Sequence, residues 1–234
     1  MSKATEASLA SPQLTLALGL DDDTTLENYF RRNGLEALHA AAVSGAEEPL
    51  SFVHGGAEGG KTHLLQALCH PRPGAVYLPL AELAAYVPEA VLADLEHSPL
   101  IAIDDLHCVA GSAPWEEALF HLVNRCRQLT CPLWFAARKP PAQLGIGLAD
   151  LRSRLTGGLL WSVPAPGEDE KLAILEFRAD RRGLRLPDSL VTYIATRSGR
   201  SMAEMLTVLA QLDDASLRLK RPLTVPLVRE VMGW

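Results

Sequence analysis

The sequence predicts an α/β protein: a parallel sheet carrying a phosphate-binding loop, followed by a small all-helical unit. Three observations lead there. The stretch Leu50–Leu68, LSFVHGGAEGGKTHLLQAL, passes from an apolar strand through a Gly-rich turn into an apolar helix. Short apolar runs then alternate with helical patterns as far as Val163, the pattern of parallel βαβ units. After Pro164-Ala165-Pro166-Gly167 the strand signals stop, and only helical spacing continues to Trp234.

The Gly-rich turn fills the pattern G-x-x-x-x-G-K-[ST] with Gly55, Gly60, Lys61 and Thr62; Gly56, Ala57, Glu58 and Gly59 lie between. Glycines let successive backbone N–H groups wrap around phosphate oxygens. The helix that begins near Gly60 points its positive end at the same phosphates. Lys61 reaches the β- and γ-phosphates in this arrangement, and the Thr62 hydroxyl ligates Mg²⁺. His63 follows at the edge of the loop; in this position a histidine packs more often than it acts as an acid or base. The strand before the loop and the helix after it supply the context that the motif demands.

Taken in order, residues 1–12 are small and polar. Gln13–Leu18, QLTLAL, places Leu14, Leu16 and Leu18 at alternate positions behind Gln13. An extended peptide of this kind suits a partner's groove; packing on its own domain is the alternative. Asp21–Asp23 reads as a solvated spacer or a helix-start signal. Thr25–Val43 has helical apolar spacing. Val76–Leu80 is the second strand, and 81–95 a helical stretch broken by Pro88. Pro99–Asp105, PLIAIDD, is a buried strand ending in two carboxylates. Residues 114–129 form an amphipathic helix opened by Pro114, a favourable first-turn residue. Leu133–Ala137 and Leu159–Val163 are the fourth and fifth strands. Helices over 168–182, 188–198, 201–219 and 224–232 complete the chain, separated by Gly183, Pro187, Gly199 and Pro222. The expected organisation is a tail over 1–22, a nucleotide-binding α/β domain over 23–166 and a helical domain over 167–234.

Ligands of doubly wound sheets bind at the carboxyl ends of strands. Asp104 therefore falls where a carboxylate holds Mg²⁺, directly or through water, and Asp105 beside it can orient an attacking water. The net charge of −6 argues against a broad nucleic-acid footprint. Cys69, Cys108, Cys126 and Cys131 form no C-x-x-C pair and read as reduced cytosolic thiols. No apolar run approaches the roughly 18 residues of a membrane span, and Leu14–Leu20 is too short for a signal peptide. Trp115, Trp134, Trp161 and Trp234 are too dispersed for a base-stacking platform. Arg178, Arg181, Arg182 and Arg185 read as a solvated helix face or a partner surface.

GKTHLLQAL, LIAIDDLH and DLRSRLTGGLLWSVPAP together resemble the AAA+ core of the bacterial replication initiator DnaA, over about Thr25 to Trp234. Two features resemble the shorter DnaA-homologous regulators of the Hda family. QLTLAL is similar to their clamp-binding motif, and the chain ends at LKRPLTVPLVREVMGW, where DnaA continues into a helix-turn-helix domain. The resemblance implies a five-stranded parallel sheet in the order 5-1-4-3-2 with a helical lid. It implies binding of ADP or ATP with Mg²⁺, with Tyr29, Phe30 and Asn33 near the adenine; core packing is the alternative for the two aromatics and a helix cap for Asn33. It implies docking on the DNA polymerase sliding clamp through Gln13, Leu14, Leu16 and Leu18, with DNA met only indirectly through the clamp. Stimulation of ATP hydrolysis by DnaA follows, which prevents re-initiation; Arg154 is the trans-acting arginine finger and Arg152 the alternative. A homodimer stays open, and the expected location is the cytoplasm.

The chain departs from the family at Glu58, where glycine is usual. It departs again at Ala136-Ala137-Arg138, where DnaA has Ser-Asp, and at Ala203, which aligns with a lid arginine; Arg200 lies three residues earlier. Such a site binds nucleotide and hydrolyses it weakly or not at all. Two rivals remain: a self-contained P-loop ATPase acting as a DnaA-like or helicase-loader-like factor, and a small-molecule phosphotransferase.

Overall fold

The computed structural model describes residues 20–45, 49–199 and 201–234. The five strands are β1 (Leu50–His54), β2 (Val76–Pro79), β3 (Ile101–Asp104), β4 (Leu133–Ala137) and β5 (Leu159–Ser162). All pair in parallel, in the order β2-β3-β4-β1-β5, which is the expected 5-1-4-3-2 sheet read from its other edge. β1 lies between β4 and β5, so the loop leaving its carboxyl end emerges beside Ala137 and Val163.

Side-chain alternation along the strands loads both faces of the sheet. Phe52, Ile101, Ile103 and Phe135 point to one face, against α5 (Ala113–Gln128) and α6 (Ala149–Thr156). Val53, Ala102, Trp134 and Ala136 point to the other, against α1 (Glu36–Ser44) and α2 (Lys61–Cys69). Strands buried on both faces read as continuous apolar runs. Each fully buried leucine or phenylalanine contributes about 1.5–3 kcal/mol. Pro88 divides the stretch after β2 as expected, into α3 (Leu80–Leu83) and α4 (Pro88–Val91).

After the Pro164–Gly167 linker come α7 (Glu168–Arg181), α8 (Asp188–Arg197), α9 (Met202–Leu219) and α10 (Val225–Met232). They enclose a core of their own around Leu175, Ile194, Leu209, Leu212 and Leu227. This is the helical lid.

Two expectations need correction. Thr25–Val43 is helical only from Glu36. Before that, Gly34 sits at φ +81 in a turn with Asn33. The Thr25 hydroxyl accepts the Asn28 N–H at 3.2 Å, and the Glu36 carboxylate accepts the Gly34 N–H at 3.0 Å. Side chains thus take over backbone donors and hold an irregular strap in place of a helix. The second correction concerns Arg178, Arg181 and Arg182, which are no free solvated face, while Arg185 is exposed. Arg178 is 6 % exposed and pairs with Asp23 while donating to the Asn28 carbonyl. Arg182 also pairs with Asp23, and Arg181 pairs with Glu27. From the strap side, Arg32 grips Glu170 at 3.0 Å and the Pro164 carbonyl at 2.6 Å. The strap is therefore stitched to the first lid helix by ion pairs.

These pairs make the lid's attachment sensitive to acid. Burial opposes the charge on Asp23, but Arg182 and Arg178 outweigh it and hold the carboxyl below its usual range. Bonding to Arg32 lowers Glu170 in the same direction. A carboxyl lowered in the folded state contributes stability above its unfolded pKa, and that stability is lost as pH falls through the folded value. The window lies below about pH 4. Thermal melting of the Asp23→Asn/Glu170→Gln double variant is expected below wild type at pH 7, with the difference shrinking as pH falls below about 4. A difference that stays constant across that range contradicts the assignment.

Candidate nucleotide site

The phosphate loop is pinned between two strand ends. Gly55 N–H donates to the Ala137 carbonyl at 3.2 Å. A Cβ on Gly55 would stand 1.9 Å from the Val163 carbonyl oxygen, so only glycine fits there. Gly60 adopts φ +83 at the start of α2, where a left-handed residue must turn the loop into the helix. Lys61 is 9 % exposed and folds back on the loop, its Nζ donating to the Gly56 carbonyl at 2.6 Å. Burial lowers the Lys61 pKa, against the pull of Asp104 and Asp105.

Asp104 ends β3 directly across from α2 and is 1 % exposed. Its Oδ2 accepts the Thr62 hydroxyl at 2.6 Å and the Tyr77 hydroxyl at 3.1 Å; its Oδ1 accepts the Asp105 N–H at 2.8 Å. The two groups expected to share a Mg²⁺ ion are thus in contact. Among the described residues no cluster of three or more histidines, cysteines or carboxylates could hold a metal alone. The chain supplies two oxygens, and the remaining ligands of a hard cation would come from phosphate and water. Asp105 adopts a left-handed φ of +54. Burial raises its pKa, helped by Asp104. Tyr77, which the sequence reading missed, braces Asp104 from β2; no motif marks it.

Beside the loop a cavity of about 120 Å³ opens between strap, loop and lid. Tyr29, Phe30, Gly60 and His63 line it from below, Ile174, Met202 and Leu206 from the lid. The Tyr29 hydroxyl is buried, has no hydrogen-bond partner among the described residues, and lies against Gly60. An orphaned donor thus sits in a mostly apolar slot next to the phosphate loop. Asn33 lies elsewhere, exposed in the turn before Gly34, and Asn28 lines the cavity instead. His63 Nε2 meets the Thr25 carbonyl at 2.9 Å, and Nδ1 lies 3.3 Å from Arg178. Burial lowers its pKa, so it stays neutral and pins strap to lid.

Glu58, at φ +65, does not face the phosphate positions. Its carboxylate accepts the Met202 N–H at 2.8 Å and pairs with Lys171 at 3.0 Å. Gly56 and Ala57 are exposed at the crown of the loop, and Gly59 packs against Val163. Ala137 is buried at the end of β4, and Ala203 is exposed in the first turn of α9. Arg138 follows Ala137, close enough for its charge to act on Lys61 and Asp105.

Arg154 lies far from this cavity. It is exposed in the last turn of α6 and lines a separate hollow of about 340 Å³ with Leu50, Arg127 and Gly158. No carboxylate among the described residues pairs with it. Arg152, the alternative finger, is tied to the Ile146 carbonyl at 3.0 Å. Gln13, Leu14, Leu16, Leu18 and Arg200 lie outside the described residues.

Comparison with known proteins gives a consistent picture. Residues 168–232 match the family model described as "Hda, lid domain". An uncharacterized protein of Haemophilus influenzae is 35 % identical over 228 residues, covering 94 % of this chain and 98 % of that protein. Domain III of the Thermotoga maritima replication initiation protein DnaA superposes with a TM-score of 0.73 at 20 % identity, covering 92 % of this chain and 98 % of that one. AMPPCP-bound DnaA from Aquifex aeolicus gives 0.67 at 22 % identity, covering 82 % of this chain and 65 % of that one. The Thermotoga maritima RuvB branch migration motor gives 0.57 at 19 % identity, over 85 % and 65 % of the two chains.

Proposed function

The chain belongs to the Hda-like, DnaA-homologous AAA+ proteins, and on that premise we propose that it is an ADP-bound regulator that docks on the sliding clamp and stimulates ATP hydrolysis by DnaA. The observation that carries the reading is a site equipped to hold a nucleotide and poorly equipped to cleave one. Lys61, the Thr62–Asp104 pair and the orphaned Tyr29 hydroxyl provide the binding half. Alanines stand at 137 and 203, where DnaA carries its sensors. Bound Mg²⁺ would neutralise phosphate charge between Thr62 and Asp104. Lys61 would exchange the Gly56 carbonyl for phosphate oxygen, and Tyr29 would close the nucleoside slot.

In this reading the regulator's work falls to Arg154, exposed at the end of α6 with its charge unspent, presented to the nucleotide of a DnaA neighbour. A planar, permanently charged guanidinium suits the charge that builds during phosphoryl transfer. DNA is met through the clamp, in the cytoplasm. One observation favours a second reading, a self-contained ATPase: Asp105 stands next to Asp104 and remains available to orient a water.

The clamp contact is tested by replacing Gln13 and Leu14 with alanine and measuring binding to immobilised clamp by surface plasmon resonance. Each buried leucine is worth about 1.5–3 kcal/mol, so affinity is expected to fall at least tenfold. Undiminished binding removes the tail from the mechanism.

A further inference from the structure

Glu58 is out of place for its conformation. A left-handed φ of +65 favours glycine, and a bulky side chain adopts it at a cost. What holds it there comes from the lid. One carboxylate oxygen accepts the N–H of Met202, the first residue of α9, at 2.8 Å; the other lies 3.0 Å from Lys171 Nζ on α7. A carboxylate on a helix's first turn satisfies an orphan N–H and meets the positive end of the helix. The cap of α9 is therefore shared. Ser201 accepts the Glu204 N–H from within the lid, and Glu58 accepts the next donor from across the cleft.

The same residues wall the nucleotide cavity. Glu58 and Met202 meet in its wall, and Ile174 and Leu206 line it from the lid as well. Opening that wall requires the Glu58 carboxylate to release both α7 and α9. Among the described residues, the first turn of α9 offers the site no basic side chain: its second residue is Ala203, exposed and too short to reach a phosphate. We propose that Glu58 is a lid-positioning residue of this site, a carboxylate built into the phosphate loop that holds the start of α9 over a nucleoside diphosphate, where Ala203 cannot read a third phosphate. The inference rests on Gly55–Thr62 being the nucleotide loop. It adds what sets the residence time and why a diphosphate suffices.

Two further features agree. Lys171 and the Met202 N–H hold the Glu58 carboxyl below its usual range, so it stays charged at neutral pH. A negative charge fixed at the N-terminus of α9 also takes up the helix end that would otherwise attract the terminal phosphate of a triphosphate.

The test is stopped-flow release of mant-ADP and mant-ATP from the full chain and three variants. Glu58→Gly removes the tie and suits the loop's φ, so it folds; its melting temperature is expected at or above wild type. It is expected to release mant-ADP about tenfold faster, with association within twofold of wild type. Glu58→Gln, which keeps an acceptor for Met202 and loses the ion pair, falls between. Adding Ala203→Arg to Glu58→Gly restores slow release for mant-ATP and leaves mant-ADP fast, a split that a purely structural role would not produce. Wild-type release rates in Glu58→Gly, or equal rescue of both nucleotides by Ala203→Arg, overturn the proposal while the nucleotide reading stands. A wild-type chain that binds neither probe overturns both.

Discussion

Arg154→Ala is expected to abolish stimulation of DnaA while leaving nucleotide and clamp binding intact. Removing a trans-acting arginine from other nucleotide hydrolases costs about 10³–10⁵ in rate, and a loss of that order is expected in ADP formation by ATP-loaded DnaA. One difference between the two arginines supports proposing the role for 154 over 152. Both arginines are exposed without a carboxylate partner among the described residues, and Arg152 in addition donates to the Ile146 carbonyl, which leaves Arg154 the freer guanidinium. Arg152→Ala is therefore expected to weaken the approach to the start of α6 and to change stimulation only modestly. If Arg152→Ala alone silences DnaA hydrolysis, the finger is Arg152.

Lys61→Ala is expected to lower ADP and ATP affinity at least tenfold in titration calorimetry. One charged hydrogen bond is worth roughly 1.5–3 kcal/mol. Stability should move little, because the wild-type ammonium is itself buried and its charge disfavoured there. An unchanged affinity would mean that the loop does not bind phosphate. The companion expectation at Tyr29 is smaller: Tyr29→Phe removes an orphaned hydroxyl, so it should stabilise the nucleotide-free chain and weaken its hold on nucleoside.

The sheet was legible because buried parallel strands are written as apolar runs and a nucleotide loop must follow one of them. Leu133–Ala137 matches residue for residue. The lid helices were legible from Gly and Pro punctuation, each ending within two residues of its expected bounds. The strap was not. Its apolar spacing imitates a helix, while Thr25, Asn28 and Gly34 redirect the backbone through local hydrogen bonds and a left-handed turn. Arg178 was misread because helical spacing cannot say that Asp23 will fold across to meet it. The same limit hid Tyr77, whose partner Asp104 lies on another strand. Glu58 drew attention only as a departure in the loop; that it caps α9 is a tertiary fact with no local signal.

The central claim is that this chain holds a nucleotide in order to act on another protein's. Phosphate release is followed for the purified chain with ATP, then for the chain added to ATP-loaded DnaA with clamp and DNA. The account predicts turnover near background alone and strong acceleration of DnaA's hydrolysis in the mixture. Robust turnover by the chain alone, with no acceleration on mixing, would contradict it and make the protein an ATPase in its own right.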